Sequence, residues 1–103
     1  MVEIREIAGA ELADIIANHE KVLVDFYEKN CGPCKMMALV LKEIAKNVDD
    51  VVIVTLEFNG NRETAQQYNV NNSPYLLLFK NGTEAGRLIG MQQKPVILKF
   101  LNN

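Results

Sequence analysis

Six consecutive residues, Val22-Leu23-Val24-Asp25-Phe26-Tyr27, constrain the fold more than any other part of the chain. They form a near-continuous run of apolar, β-branched and aromatic types. Such a run reads as a strand buried on both faces, so its sheet needs a covering layer on each side. One residue breaks the pattern: Asp25, a carboxyl set where water is excluded. Directly after comes Glu28-Lys29-Asn30-Cys31-Gly32-Pro33-Cys34-Lys35, a turn that opens a helix. Pro33 fits the first helical turn, where its missing N–H costs nothing.

The rest of the chain supplies the covering layers. Met37, Val40, Leu41, Ile44 and Val48 mark one face of the helix after the cysteines. Upstream, Val2–Ile7 alternates as a strand, and Leu12, Ile15 and Ile16 give Glu11–Asn18 a helical face. Downstream, Val51–Phe58 reads as a strand. Asn61 is a plausible N-cap for a short helix over Arg62–Tyr68. Asn71-Asn72-Ser73-Pro74 breaks the chain before a strand over Tyr75–Phe79. Asn81-Gly82 is a strong hairpin signal leading into Ala85–Ile89. Gly90 ends that strand, and a last helix starts near Lys94-Pro95 with Ile97, Leu98, Phe100 and Leu101 inward.

The order is βαβαβαββα. Two β-α-β units followed by a hairpin and a helix imply an α/β fold, a mixed sheet with helices on both faces. No repeat or linker divides the chain, so one domain over residues 1–103 is expected. Sites in such sheets lie beyond the carboxyl ends of the parallel strands. The turn carrying Cys31 and Cys34 is such a position.

Charge narrows the function. Eleven Lys and Arg against thirteen Asp and Glu leave a net −2, with no surplus for a nucleic-acid-binding face and no pull toward an acidic membrane. No apolar run approaches the roughly 18–20 residues of a membrane span. Met1-Val2-Glu3-Ile4-Arg5-Glu6 alternates charged and apolar residues, unlike a signal peptide. A cytoplasmic monomer is the expectation. No G-x-G-x-x-G segment occurs, so no bound nucleotide is expected.

Cys31 and Cys34 are the only cysteines. A bridge closing about four residues removes only ~2 kcal/mol of chain entropy. Stability alone is therefore a poor reason for the pair. A structural zinc site takes about four ligands, and the chain adds only His19, at the far end of another helix. Redox chemistry is the reading that the spacing and helix position favour, with metal binding or inert thiols as the alternatives. At the helix start, free N–H groups and the positive dipole end favour thiolate over thiol at Cys31. Cys31 is then the nucleophile toward a substrate disulfide, and Cys34, one turn inward, resolves the mixed disulfide.

The run from Val22 to Tyr27, the segment Asn30-Cys31-Gly32-Pro33-Cys34-Lys35-Met36, the stretch from Ser73-Pro74 to Asn81-Gly82, and the later Gly90 together resemble the thioredoxin family. The similarity spans essentially the whole chain, with motifs in matching order and spacing. It implies a small dithiol protein that reduces disulfides in other proteins and is recharged by a separate NADPH-using thioredoxin reductase. It implies no bound cofactor beyond a redox-active Cys31–Cys34 disulfide, and no metal. Asp25 matches the family's buried aspartate, whose raised pKa suits it to take a proton from Cys34, through water. Pro74 matches the family's cis-proline, which faces the cysteines and helps bind extended substrate. Gly90 leaves the groove open for substrate backbone, and Met91 edges it. Gly32 and Pro33, between the thiols, tune the redox poise.

The departures sit at the groove. Asn30 stands where the family usually has Trp, and offers a cap to the helix instead. Tyr27 replaces another common Trp. Ser73 precedes the proline in place of Ile, Thr or Val, with a hydroxyl in reach of thiolate or substrate. Thr55 stands where many relatives have a buried Lys near the aspartate, which leaves Asp25 harder to ionise. Altered partner choice is expected, with the chemistry kept. Two other readings stay open: a binding module with incidental thiols, and an oxidase or isomerase running the same chemistry in reverse. Met37 is expected in the core and Met36 at the surface. Lys29 and Lys35, as screened surface charges, should affect Cys31 little. In the reduced protein, iodoacetamide at neutral pH should alkylate Cys31 well before Cys34. Equally slow alkylation of both would remove the redox reading.

Overall fold

The computed structural model describes residues 1–102. Strands β1 (Ile4–Glu6), β2 (Lys21–Tyr27), β3 (Val52–Glu57), β4 (Tyr75–Lys80) and β5 (Thr83–Ile89) form one sheet in the order β1-β3-β2-β4-β5. Helices α1 (Gly9–Asn18), α2 (Gly32–Ala45), α3 (Arg62–Gln67) and α4 (Lys94–Leu101) connect and follow them, with a 3₁₀ turn over Asn59–Asn61. Strand β2 pairs parallel to β3 and antiparallel to β4; β1 runs parallel to β3, and β5 antiparallel to β4. The mixed sheet is the expected one.

The side-chain alternation of β2 sorts the core into two halves. Val22, Val24 and Phe26 pack with Leu12, Ile15 and Ile16 of α1, with Ala65 of α3, and with Tyr75, Leu77 and Phe79. Leu23 packs on the opposite face with Met37, Leu41 and Ile44 of α2 and Ile97, Phe100 and Leu101 of α4. Asp25 shares the face of Leu23, which puts it under α2. The whole segment Val22–Phe26 is buried. The hairpin is the one its sequence demands: Asn81 and Gly82 both take left-handed backbone, at φ 52° and 83°, between the paired Lys80 and Thr83.

The structure corrects several boundaries. Strand β1 keeps three residues of the expected six, the ones that pair with Ile53–Thr55 of β3. Val2 instead donates its N–H to the Ala45 carbonyl at 2.8 Å, tying the chain start to the end of α2. Helix α2 stops at Ala45, and Val48 packs on the core from the turn beyond. Helix α1 starts at Gly9, where the Glu11 carboxylate accepts the Ala8 N–H at 2.9 Å. Asn61 does stand at the N-cap of α3, but its side chain caps nothing there. Its Oδ1 accepts the Gly9 N–H at 2.8 Å and its Nδ2 donates to the Glu57 carbonyl at 2.9 Å, so it joins α1 to β3.

Gly9 is held by that contact against α3. A Cβ at Gly9 would overlap the Thr64 side chain. Gly9→Ala should destabilise the protein by about 1–3 kcal/mol through overpacking, and adding Thr64→Ala should recover part of the loss. Urea unfolding of the two single variants and the double variant checks this.

Candidate active site

Two elements meet at the site: the carboxyl end of β2 and the first turn of α2. Cys31 occupies the N-cap position of α2, and Cys34 lies in its first turn, so one helical turn brings their Cα atoms to 5.2 Å and a disulfide joins them. The Cys34 N–H points at the Cys31 sulfur, 3.1 Å away. The Lys35 N–H donates to the Cys31 carbonyl at 3.1 Å. Cys31 is partly accessible, whereas Cys34 is 3% exposed and its sulfur accepts the Glu28 N–H at 3.5 Å. Of the two sulfur-bearing residues, Cys31 is the more accessible. Asn30 is exposed, and Cys31 rather than Asn30 caps the helix: the sulfur accepts the N–H that an asparagine side chain would otherwise take. Gly32 and Pro33 are exposed between the sulfurs, as are Lys29 and Lys35.

Asp25 lies one alternation along β2 from Leu23, with Thr55 and Leu76 as its cross-strand neighbours. It is 2% exposed, and its Oδ1 finds no hydrogen-bond partner among the described residues. Desolvation by burial pushes its carboxyl up from 3.8 to about 7. Thr55 is half-buried and offers no charge, as its residue type leads one to expect. Asp25, Thr55 and Cys34 together line a cavity of about 800 Å³ that runs past Ala38 and Leu39 to Met1 and Val2. Tyr27 is on the same strand face, and its hydroxyl donates to Glu6 at 2.7 Å, linking β2 to β1 across β3.

The antiparallel partner of β2 brings the second half of the site. Phe26 pairs with Tyr75, so Ser73 and Pro74 stand beside the end of β2 from which the cysteine turn leaves. The Ser73–Pro74 peptide bond is cis. The Pro74 carbonyl accepts the Gly90 N–H at 2.9 Å, which joins Gly90 to this edge. Gly90 has φ 87°, a conformation that favours glycine, and open space surrounds the position of a Cβ. Ser73 is half-buried, and its hydroxyl bonds neither sulfur. Met91 packs partly on the core beneath α2 and α4. Met37 is fully buried and Met36 is 58% exposed. His19 lies outside the site, its ring Nδ1 2.9 Å from the Ile15 carbonyl. One residue near this edge is marked by no motif: Arg87 of β5. Its only sequence signal is Glu84 three positions earlier, which a strand pattern does not single out.

A bridge of this kind opens by taking two electrons and closes by handing them to another disulfide. With one sulfur partly accessible and the other buried on a cavity it shares with a carboxyl raised to about 7, the site defines a dithiol–disulfide oxidoreductase. Comparison with known proteins agrees. The Thioredoxin family model matches residues 3–103. The chain is 40% identical to a thioredoxin of Mycobacterium tuberculosis over 91 residues, covering 87% of this chain and 78% of that one. It is 37% identical to a Chlamydia muridarum thioredoxin over 102 residues, covering 99% and 97%. Among solved structures, a point mutant of a thioredoxin from Halobacterium salinarum superposes with a TM-score of 0.91 at 29% identity, over 97% of this chain and 88% of that one. Oxidised mitochondrial thioredoxin 3 from Saccharomyces cerevisiae gives 0.88 at 28%, over 96% and 93%. The chain belongs to the thioredoxin family and is a protein-disulfide reductase.

The raised pKa of Asp25 has a thermodynamic consequence. Between about pH 4 and 7 the native protein holds a proton that the unfolded chain has released. The stability present at low pH is therefore lost as pH rises through this window and stays lost above it. Asp25→Asn removes the group responsible. In the oxidised form the variant should be more stable than the parent by about 2–4 kcal/mol at pH 8 and by less than about 1 kcal/mol at pH 4. Urea unfolding at both pH values measures it. An equal gain at both would mean that Asp25 titrates normally.

Proposed function

We propose that Cys31 is the attacking sulfur, Cys34 the resolving one, and Asp25 the proton acceptor for Cys34. The observation that carries this reading is the asymmetry of the pair. Cys31 stands at the helix N-cap under the Cys34 N–H, and Cys34 is buried beside Asp25. In the reduced protein the same N–H and the helix dipole favour negative charge on Cys31.

The reaction is two exchanges. The Cys31 thiolate attacks one sulfur of a protein disulfide; a mixed disulfide forms, and the other substrate sulfur leaves as a thiolate and takes a proton from solvent. The Cys34 thiol then gives its proton to Asp25, through water, and attacks the Cys31 sulfur. The Cys31–Cys34 bond forms and the second substrate sulfur leaves. The protein loses two electrons and the substrate disulfide gains them. A carboxyl near pKa 7 is matched to this transfer. The cavity beside it gives the proton a way to solvent while a substrate covers Cys31.

Substrates are extended segments around protein disulfides, received along Asn30, Ser73, cis-Pro74, Gly90 and Met91, with Gly32 and Pro33 setting the redox poise. The hydrogen bond from Gly90 to Pro74 supports this by placing both on one edge. Electrons return from an NADPH-dependent thioredoxin reductase, and the cytoplasm is the compartment whose poise suits reduction. The test is insulin reduction with dithiothreitol as donor. Cys31→Ser should cost more than about 100-fold in rate, on the scale set by removing a nucleophile. Cys34→Ser should accumulate a mixed disulfide visible by mass spectrometry. Unchanged turnover in Cys31→Ser rejects the assignment.

A further inference from the structure

We propose that Arg87 is a positioning residue that fixes the Val70–Pro74 segment, and so sets the affinity for protein disulfides. The inference rests on the reading above that Ser73 and Pro74 receive substrate.

An arginine carries five N–H donors. In Arg87 each of its three nitrogens is engaged. Nε donates to Glu84 Oε2 at 2.8 Å and Nη2 to Glu84 Oε1 at 2.7 Å, a two-pronged ion pair. Nη2 also donates to the Tyr68 carbonyl at 3.1 Å. Nη1 donates to the Asn69 carbonyl at 3.3 Å and to the Tyr75 hydroxyl oxygen at 2.9 Å. The guanidinium carbon stands 5.5 Å from the centre of the Tyr75 ring. These partners are not scattered. Tyr68 and Asn69 are the last residues before the segment, and Tyr75 is the first after it. One side chain therefore clamps both ends of residues 70–74.

The sheet explains how it reaches. Arg87 pairs with Leu77, so it lies on the sheet face of Tyr75 and Leu77, diagonal to Tyr75 and facing α3. There it meets carbonyls left without helical partners where α3 ends and Asn69 turns into left-handed backbone, φ 59°. Glu84, from the same strand, holds the guanidinium in that orientation. Three residues on, the Gly90 N–H bonds the Pro74 carbonyl. Strand β5 and the residue that follows it thus grip the cis-proline segment at two points, one side chain and one backbone. Residues 71 and 72 are exposed and lie in no helix or strand, between buried Val70, whose N–H donates to the Ala65 carbonyl at 2.8 Å, and buried Pro74. Without the clamp, substrate binding must also order this segment.

The test compares insulin with a small aryl disulfide, 5,5′-dithiobis(2-nitrobenzoate), which touches the sulfurs and little of the groove. Arg87→Met keeps the stem and removes every donor. It should raise KM for insulin about three- to tenfold and change kcat less than about twofold, the scale of one or two lost hydrogen bonds. The loss with the small disulfide should be at least about threefold smaller. Arg87→Lys keeps the charge but not the fork, and should recover only part of KM. Tyr75→Phe deletes a single partner with little risk to folding, and should move KM the same way by about twofold. Ile44→Val, at the far end of α2 on the opposite face of the sheet, serves as a control destabilised elsewhere: its KM should match the parent, which a loss caused only by lower stability would not allow. Unchanged KM in both Arg87→Met and Tyr75→Phe overturns the proposal, as does an equal loss on insulin and the small disulfide. Failure of the parent to reduce insulin would instead overturn the reading of the site itself.

Discussion

Strand β2 is the constraint on which the rest of the structure depends. It lies between a parallel and an antiparallel neighbour, with residues 22–26 buried on both faces. Hydrophobic burial can satisfy that strand only if helices cover each side, and the two core halves are the result. The same strand sets the site. Its alternation turns Asp25 toward α2, and its end delivers the chain to the helix start where the sulfurs sit.

That arrangement places costs and uses side by side. A carboxyl with an unpartnered oxygen, 2% exposed, works against the fold whenever it ionises. The same desolvation brings its pKa to about 7, the value on which the proposed proton transfer from Cys34 draws. A positively charged neighbour would relieve the cost and lose the match. Thr55 beside it supplies none. The helix start is similarly double in effect, since the N–H that caps α2 through Cys31 is the group that favours charge on that sulfur.

Much of the fold was legible because its signals are local. Asn81-Gly82 specifies a two-residue hairpin through backbone preference alone, and the turn adopts it. The apolar spacings of Leu12, Ile15 and Ile16, and of Met37, Leu41 and Ile44, name buried helix faces that the structure buries. Boundaries were less legible, because they depend on neighbours. Strand β1 spans only the residues that pair with Ile53–Thr55 of β3, and α2 ends at Ala45 although Val48 continues its apolar spacing. The two asparagines differ. Asn30 is expected to cap α2, but a cysteine sulfur holds that place. Asn61 does occupy the N-cap of α3, but its side chain bonds Gly9 and Glu57 on other elements.

The sequence by itself determined the two sulfurs and their spacing, the acid inside an apolar strand, the order of elements and the hairpin. Each of these is written in neighbouring residues and needs no distant contact to be read. Only the tertiary structure decided that Asp25 and Cys34 line one cavity, that Gly90 bonds Pro74, and that Arg87 spans the segment between α3 and β4. These are contacts between residues far apart in the chain. They follow from strand register and sheet order, which fix geometry in three dimensions and leave no periodic trace in the sequence.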